Sequence, residues 1–136
     1  VRIAIGGLAS FGLFAVHLGL RRKDRTPQLR SILSASVPGT PTVVAGDFNA
    51  WSKRLGCDDF EARFDVLAPG SPFHARRPVP ALDRFATSAN VSVTDAGVED
   101  GTLARRSSDH LPIWVDVSVA LSSESLGVAR GTSLSH

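Results

Sequence analysis

The sequence predicts an α/β layered fold, and three observations carry that prediction. The amphipathic stretch "RTPQLRSILSAS" (residues 25–36) lies between two apolar, strand-like runs, "FGLFAVHLGL" (11–20) and "TVVAG" (42–46). Strand, helix, strand in that order is the crossover unit of layered α/β proteins. Three further short runs, "ALDRFAT", "VSVTDAGV" and "LPIWVDVSVAL", then add strands without matching helices. Finally, the chain has 136 residues, 43% of them hydrophobic and 21% charged. That is enough for one packed core and too short for two ordinary domains. It also excludes a disordered tail.

Each element has a local reason. Residues 2–6 and 11–19 read as two strands, with Gly6-Gly7 between them where a hairpin turn would fall. The first twenty residues followed by "RRKDR" resemble a membrane helix with a positive flank, but Arg2 and His17 interrupt the apolar run. Membrane association through this segment stays as a third, weaker reading of function. A helix is expected over 27–36, because Leu29, Ile32 and Leu33 share one face. Thr26 would cap it, Pro27 would take its first position and Pro38 would follow its end. The stretch "VPGTP" is a loop.

Residues 42–46 form a buried strand. A second helix is expected over 57–67, with Phe60, Phe64 and Leu67 on one face and Asp58 or Asp59 as its cap. "PGSPFHARRPVP" (69–80) is too rich in proline and glycine for regular structure. Strands over 81–87 and 91–98 follow, then a polar loop "TLARRSSDH". The final strand alternates, with Leu111, Ile113, Val115 and Val117 on one side. The expected organisation is one domain over 1–120 and a Ser-rich, mobile tail over 121–136.

Bulk chemistry sets wide limits. Formal charge is +2 and the pI is near 9.3, compatible with an anionic partner and equally with a solvated basic face. One cysteine, Cys57, excludes an intrachain disulfide and a cysteine zinc cage; it is expected to be a small buried residue. The chain opens on Val1 and holds no methionine, so either a non-standard start codon is used or this is a piece of something longer. A soluble, cytoplasmic protein is expected rather than a membrane protein, with the compartment undetermined.

Four polar clusters sit at the ends of the apolar runs: His17, Asp47 with Asn49, Asp83 with Arg84, and Asp109 with His110. Strand ends are where α/β folds gather reacting groups. Each cluster also has an ordinary reading. Asp47 and Asn49 could cap a turn, Asp83 and Arg84 could form a surface ion pair, and His110 could be a hydrogen-bonded core histidine. Trp51 reads as a packing residue at the rim.

Taken together, "VVAGDFN", "ALDRF" and "SSDHLPI", preceded by "FAVHLGL" and a helix bearing Gln28, resemble the endonuclease/exonuclease/phosphatase superfamily with its DNase I-like fold. "PFHARRPVPALDRF" resembles the arginine- and proline-rich approach to the corresponding strand of small bacterial members. The resemblance runs from about residue 2 to residue 119. It implies part of a four-layer α/β sandwich, two packed mixed sheets flanked by helices, lacking the N-terminal half. It also implies a divalent-metal-dependent phosphoesterase that hydrolyses a P–O bond by attack of water.

Site roles follow by the same resemblance. Asp47 resembles the acid that orients and deprotonates the attacking water. Asn49 resembles an amide that positions this group and donates to a phosphate oxygen. His110 resembles the histidine that binds the scissile phosphate and stabilises transition-state charge. Asp109 resembles its metal-binding neighbour, suited to Mg²⁺ or Mn²⁺. Asp83 resembles the carboxylate that pairs with a histidine, and His17 one that contacts phosphate or protonates the leaving group. Arg76, Arg77 and Arg84 would add positive charge beside the substrate, or be solvated cations around a proline-rich loop.

The expected partner is a phosphoester in nucleic acid, phospholipid or inositol phosphate, and no protein partner is implied. Family members also carry a metal-binding glutamate in an N-terminal half, whereas Glu61, Glu99 and Glu124 stand in other contexts here. The alternative is therefore a non-catalytic remnant acting as a binding or structural module.

Overall fold

The structure is a computed structural model that describes residues 2–3, 10–50, 52, 54–68, 82–99, 101 and 112–120. Strand β1 (Arg2–Ile3) pairs antiparallel with β2 (Phe11–His17). Helix α1 (Arg22–Ala35) then carries the chain back to β3 (Thr42–Asp47), which lies parallel to β2. After α2 (Asp58–Arg63) come β4 (Phe64–Leu67) and β5 (Asp83–Ser88), and these complete a five-stranded sheet in the order β1-β2-β3-β5-β4. Strands β6 (Val91–Val98) and β7 (Ile113–Val119) form a separate antiparallel pair. The expected α/β class and crossover unit are thus present.

The period-two alternation of a strand divides the core between two faces. On one face Val44, Ala86 and Phe64 pack with Leu29 and Ile32 of α1 and Phe60 of α2. On the other, Val43, Phe85 and Phe11 meet the inward side of the β6–β7 pair, where Ile113, Val115, Val117 and Val119 are partly buried. The result is three layers: helices, a mixed sheet and a two-stranded sheet. The inward set predicted for the last strand holds for Ile113, Val115 and Val117; Leu111 lies outside the described residues.

Two helices differ from expectation, and both differences are tertiary in origin. Helix α1 begins at Arg22 rather than Pro27, its N-cap is Arg21 without a side-chain cap bond, and Pro27 lies inside it. Pro27 removes one i→i−4 bond. The preceding turn is held from outside instead: Arg22 donates to the Gly56 carbonyl (3.2 Å) and Arg25 to the Asn49 carbonyl (3.0 Å). Helix α2 ends at Arg63, half as far as expected, and Phe64–Leu67 are a strand paired with β5. Its N-cap is Cys57, neither Asp58 nor Asp59.

Glu61 reaches back to accept the Leu55 N–H at 2.6 Å, which steadies the entry to α2. Phe60 and Phe64 still stack, at 4.7 Å between ring centroids, so the apolar spacing is satisfied across a helix–strand junction. Cys57 is buried, as expected. The Gly6-Gly7 turn, the 69–80 segment and the tail lie outside the described residues. Among the described residues no helix is long and apolar enough to cross a membrane.

Phe60 is fully buried in the helix-side core. Phe60→Ala is therefore expected to cost about 3–5 kcal/mol of unfolding free energy in denaturant titration. An exposed replacement such as Leu20→Ala should leave stability within about 0.5 kcal/mol.

Candidate functional site

Strand register alone brings three of the candidate side chains into a row. His17 is the residue opposite Asp47 across the parallel β2–β3 pair, and Asp47 is opposite Asp83 across the antiparallel β3–β5 pair. Residues directly opposite in a sheet project from the same face. The three therefore share the face turned toward β6–β7, at the edge where β2 and β3 end and β5 begins. Two backbone bonds extend the ladder past this edge: Leu18 N–H to Asp47 O and Phe48 N–H to Leu82 O, both 2.8 Å.

Within the row, His17 Nε2 lies 3.7 Å from Asp47 Oδ2. That is ion-pair range but too long for a hydrogen bond. The imidazole is 80% exposed and the carboxylate 14% exposed. A contact half open to water adds little to stability. Its interest is chemical: a base and an acid face one accessible space.

Each position of "GDFN" has a physical requirement. Gly46 has φ +142°, and a Cβ built there would stand 2.0 Å from the Val16 carbonyl oxygen. No side chain fits that approach. Asp47 Oδ1 accepts the Asn49 N–H at 2.8 Å, closing a side-chain-to-backbone turn. Phe48 is fully buried and anchors the turn in the core. Asn49 has φ +47°, a left-handed conformation that asparagine tolerates better than most residues. Its amide nitrogen donates to Leu18 O at 2.6 Å, and the residue is only 6% exposed.

The ordinary reading of Asp47 and Asn49 as a turn is thus true, and the turn aims Asp47. Asn49 itself points into the protein, tying the end of β3 to the end of β2.

Arg84 follows Asp83 on β5 and so faces the opposite side of the sheet. It is 5% exposed and donates from Nη2 to Ala50 O at 2.5 Å. Burial, and then the neighbouring Arg25 charge, lower its pKa from the usual arginine value. The side chain thus supports the loop after β3 from within, and a surface ion pair does not describe it.

Helix α1 supplies Arg25, which the sequence reading did not single out, and Gln28, which entered there only as part of the family resemblance. Arg25 Nη1 donates to the carbonyls of Leu20 (2.7 Å), Asn49 (3.0 Å) and Gly19 (3.4 Å). Gln28 Oε1 accepts the Gly19 N–H at 2.8 Å. Their i, i+3 spacing places both on one helix face, but nothing local says which loops lie against it.

Trp51, Arg76, Arg77, Asp109 and His110 lie outside the described residues. Among the described residues there is no group of three or more His, Cys, Asp or Glu that could hold a metal ion. Asp47 and Asp83, on one face at paired positions, are hard oxygen donors of the kind Mg²⁺ and Mn²⁺ take. Mg²⁺ is commonly held by one or two carboxylates with the rest of its shell water or substrate. The donor chemistry therefore fits such an ion in kind.

Comparison with known proteins agrees with this architecture. The sequence model of the endonuclease/exonuclease/phosphatase family matches residues 10–110. The uncharacterised protein YbhP of Escherichia coli (strain K12) is 29% identical over 116 residues, which cover 77% of this chain and 45% of YbhP. The chain thus spans less than half the length of that relative. An endonuclease/exonuclease/phosphatase protein from Beutenbergia cavernae superposes with a TM-score of 0.69 at 21% identity, covering 88% of this chain and 38% of that one. A mannosyl-6-phosphatase from Bacteroides thetaiotaomicron superposes at 0.59 with 16% identity, covering 80% and 51%. At these identities the superpositions speak for the fold.

The Asn49 geometry separates two costs. Asn49→Ala should lose about 2–3 kcal/mol of stability, from a left-handed alanine and a lost hydrogen bond to Leu18. Asn49→Gly relieves the first and should lose only about 1 kcal/mol. Chemical denaturation of the two variants reads the difference directly.

Proposed function

Because the chain belongs to the endonuclease/exonuclease/phosphatase family, we propose that it is a phosphoesterase, hydrolysing a P–O bond by in-line attack of water. The observation that carries the proposal is the His17–Asp47–Asp83 row: an exposed imidazole, an aimed carboxylate and a second carboxylate on one face. The helix layer and the two sheets fit as part of the α/β sandwich of that fold.

In this reading Asp47, held by the Asn49 N–H, orients the attacking water and takes its proton as the P–O bond forms. His17 stands beside it, on the side open to solvent, to contact a phosphoryl oxygen or protonate the departing oxygen. Asp83 pairs with a histidine, and His110 is the one the motif order offers. His110 then donates to the phosphoryl oxygens as their charge grows.

Asn49 acts by holding Asp47, since its amide is already engaged by Leu18. Arg76 and Arg77 contribute positive charge toward the substrate. Arg84 is left out of that group because its guanidinium is buried against Ala50. Family members generally depend on a divalent metal. In this reading Mg²⁺ or Mn²⁺ would be held by Asp109, with Asp47 and Asp83 as further oxygen donors, and would supply charge compensation on the phosphoryl oxygens.

The substrate is a phosphoester, and its class is set by loops rather than by the shared reaction core. Nucleic acid, phospholipid and inositol phosphate are the candidates. The mannosyl-6-phosphatase with the same fold adds sugar phosphates to them.

A second reading is a non-catalytic binding or structural module that keeps the His17–Asp47–Asp83 row without turnover. Calorimetric titration with Mg²⁺ separates the two: a saturable site at millimolar levels or below supports the enzyme, and its absence supports the module.

Hydrolysis of phosphodiester and sugar-phosphate substrates should require Mg²⁺ or Mn²⁺. Asp47→Ala and His110→Ala should each reduce kcat by about 10²-fold or more. Undiminished turnover in both variants would remove the assigned roles.

A further inference from the structure

We propose that Arg25 is a positioning residue of this site: its guanidinium clamps the loops leaving β2 and β3 together and so fixes the direction of the Asp47 carboxylate. The inference rests on the phosphoesterase reading only for its effect on turnover.

Beyond His17 and Asp47 the two strands diverge, and their backbone oxygens need other donors. Side chains supply them. Leu18 O accepts from Asn49 Nδ2, Gly19 O and Leu20 O accept from Arg25, Asn49 O accepts from Arg25, and Ala50 O accepts from Arg84. Among the described residues outside the two loops, Arg25 is the one that donates to both. One nitrogen, Nη1, lies 2.7 Å from Leu20 O and 3.0 Å from Asn49 O, residues that are far apart in sequence.

Those bonds close a ring that ends on the candidate base. Arg25 holds the carbonyl of Asn49, the N–H of Asn49 donates to Asp47 Oδ1, and the side chain of Asn49 donates to Leu18 O. The N–H of Leu18 in turn donates to Asp47 O. Asn49 sits in the left-handed region at φ +47°, away from the commoner backbone minima. Releasing its carbonyl lets the residue relax, and that rotation turns its N–H away from Asp47 Oδ1. The carboxylate then loses the Asn49 N–H, one of the bonds that orient it.

The arrangement is poorly suited to stability alone. Arg25 Nε is buried without a hydrogen-bond partner among the described residues, and a second cation, Arg84, lies nearby, its pKa lowered by burial and then by the Arg25 charge. What Arg25 contributes is geometry: the rigid guanidinium holds Nη1 at one place between the Leu20 and Asn49 carbonyls, and a flexible lysine stem does not fix its ammonium there as firmly.

The test uses the whole chain with Arg25→Ala and Arg25→Lys, reading backbone amide exchange, kcat and KM with Mg²⁺, and rescue by added methylguanidinium. In Arg25→Ala the Asn49 and Leu18 amides should exchange about fivefold faster or more, while amides of β5 and β6 keep their protection. The kcat should fall roughly ten- to hundredfold with KM nearly constant, because a base misplaced by about 1 Å loses that much. Methylguanidinium should restore part of it, and Arg25→Lys should fall between. If Arg25→Ala does not fold, Arg25→Lys carries the same comparison. Unchanged Asn49 protection, or exchange that rises uniformly along the chain, overturns the positioning role. A wild type that hydrolyses no phosphoester overturns the functional reading instead, and the exchange pattern then decides the role of Arg25 by itself.

Discussion

The close approach of Gly46 to β2 is the constraint on which the rest of this structure depends. A Cβ at that position would stand 2.0 Å from the Val16 carbonyl oxygen, and the backbone there has φ +142°. The parallel β2–β3 pairing therefore reaches its last step only because residue 46 has no side chain. That last step sets His17 opposite Asp47 and lets the Leu18 N–H reach Asp47 O. A larger residue at 46 would open the pair one step early, and the acid, its turn and the base beside it would lose their common frame.

From that point the chemistry and the core separate by parity along the strands. Asp47 and Phe48 are neighbours, as are Asp83 and Arg84, yet one of each pair faces the candidate site and the other the helix-side interior. Phe48 is fully buried and Arg84 nearly so. The interior members are supports. Phe48 pins the turn in apolar packing, and Arg84 holds Ala50 O from beneath. The alternation that divides the sheet into two packed faces thus also gives the site a rigid floor.

The legible and illegible parts of the molecule divide on physical grounds. The crossover unit was readable because each of its three parts carries a full local signal. Those signals are two apolar runs and an i, i+3, i+4 stripe of Leu29, Ile32 and Leu33 between them. The first turn of α1 was not readable: Pro27 marks a local helix start, and the added turn is held by Arg22 and Arg25 bonded to the distant carbonyls of Gly56 and Asn49. Phe60 and Phe64 suit one helical face, but they also suit a helix followed by a strand. The partner that decides, β5, lies about twenty residues further on. In the site, the motif order pointed to His17, Asp47 and Asp83. Asn49 read as a phosphate donor and Arg84 as a substrate cation, because residue type alone does not say which way a side chain points.

By itself, then, the sequence determined the α/β class, the family, and the identity of the polar groups that sit at strand ends. These follow from periodicity and from short motifs whose demands are local: a glycine for a tight approach, an acid two residues before an asparagine for a turn. Only the tertiary structure decided which groups meet. Strand register set His17, Asp47 and Asp83 in one row. The same packing turned Asn49 and Arg84 inward and brought Arg25 across two loops. Register and packing are properties of pairs of segments far apart in the chain, so no single stretch of residues contains them.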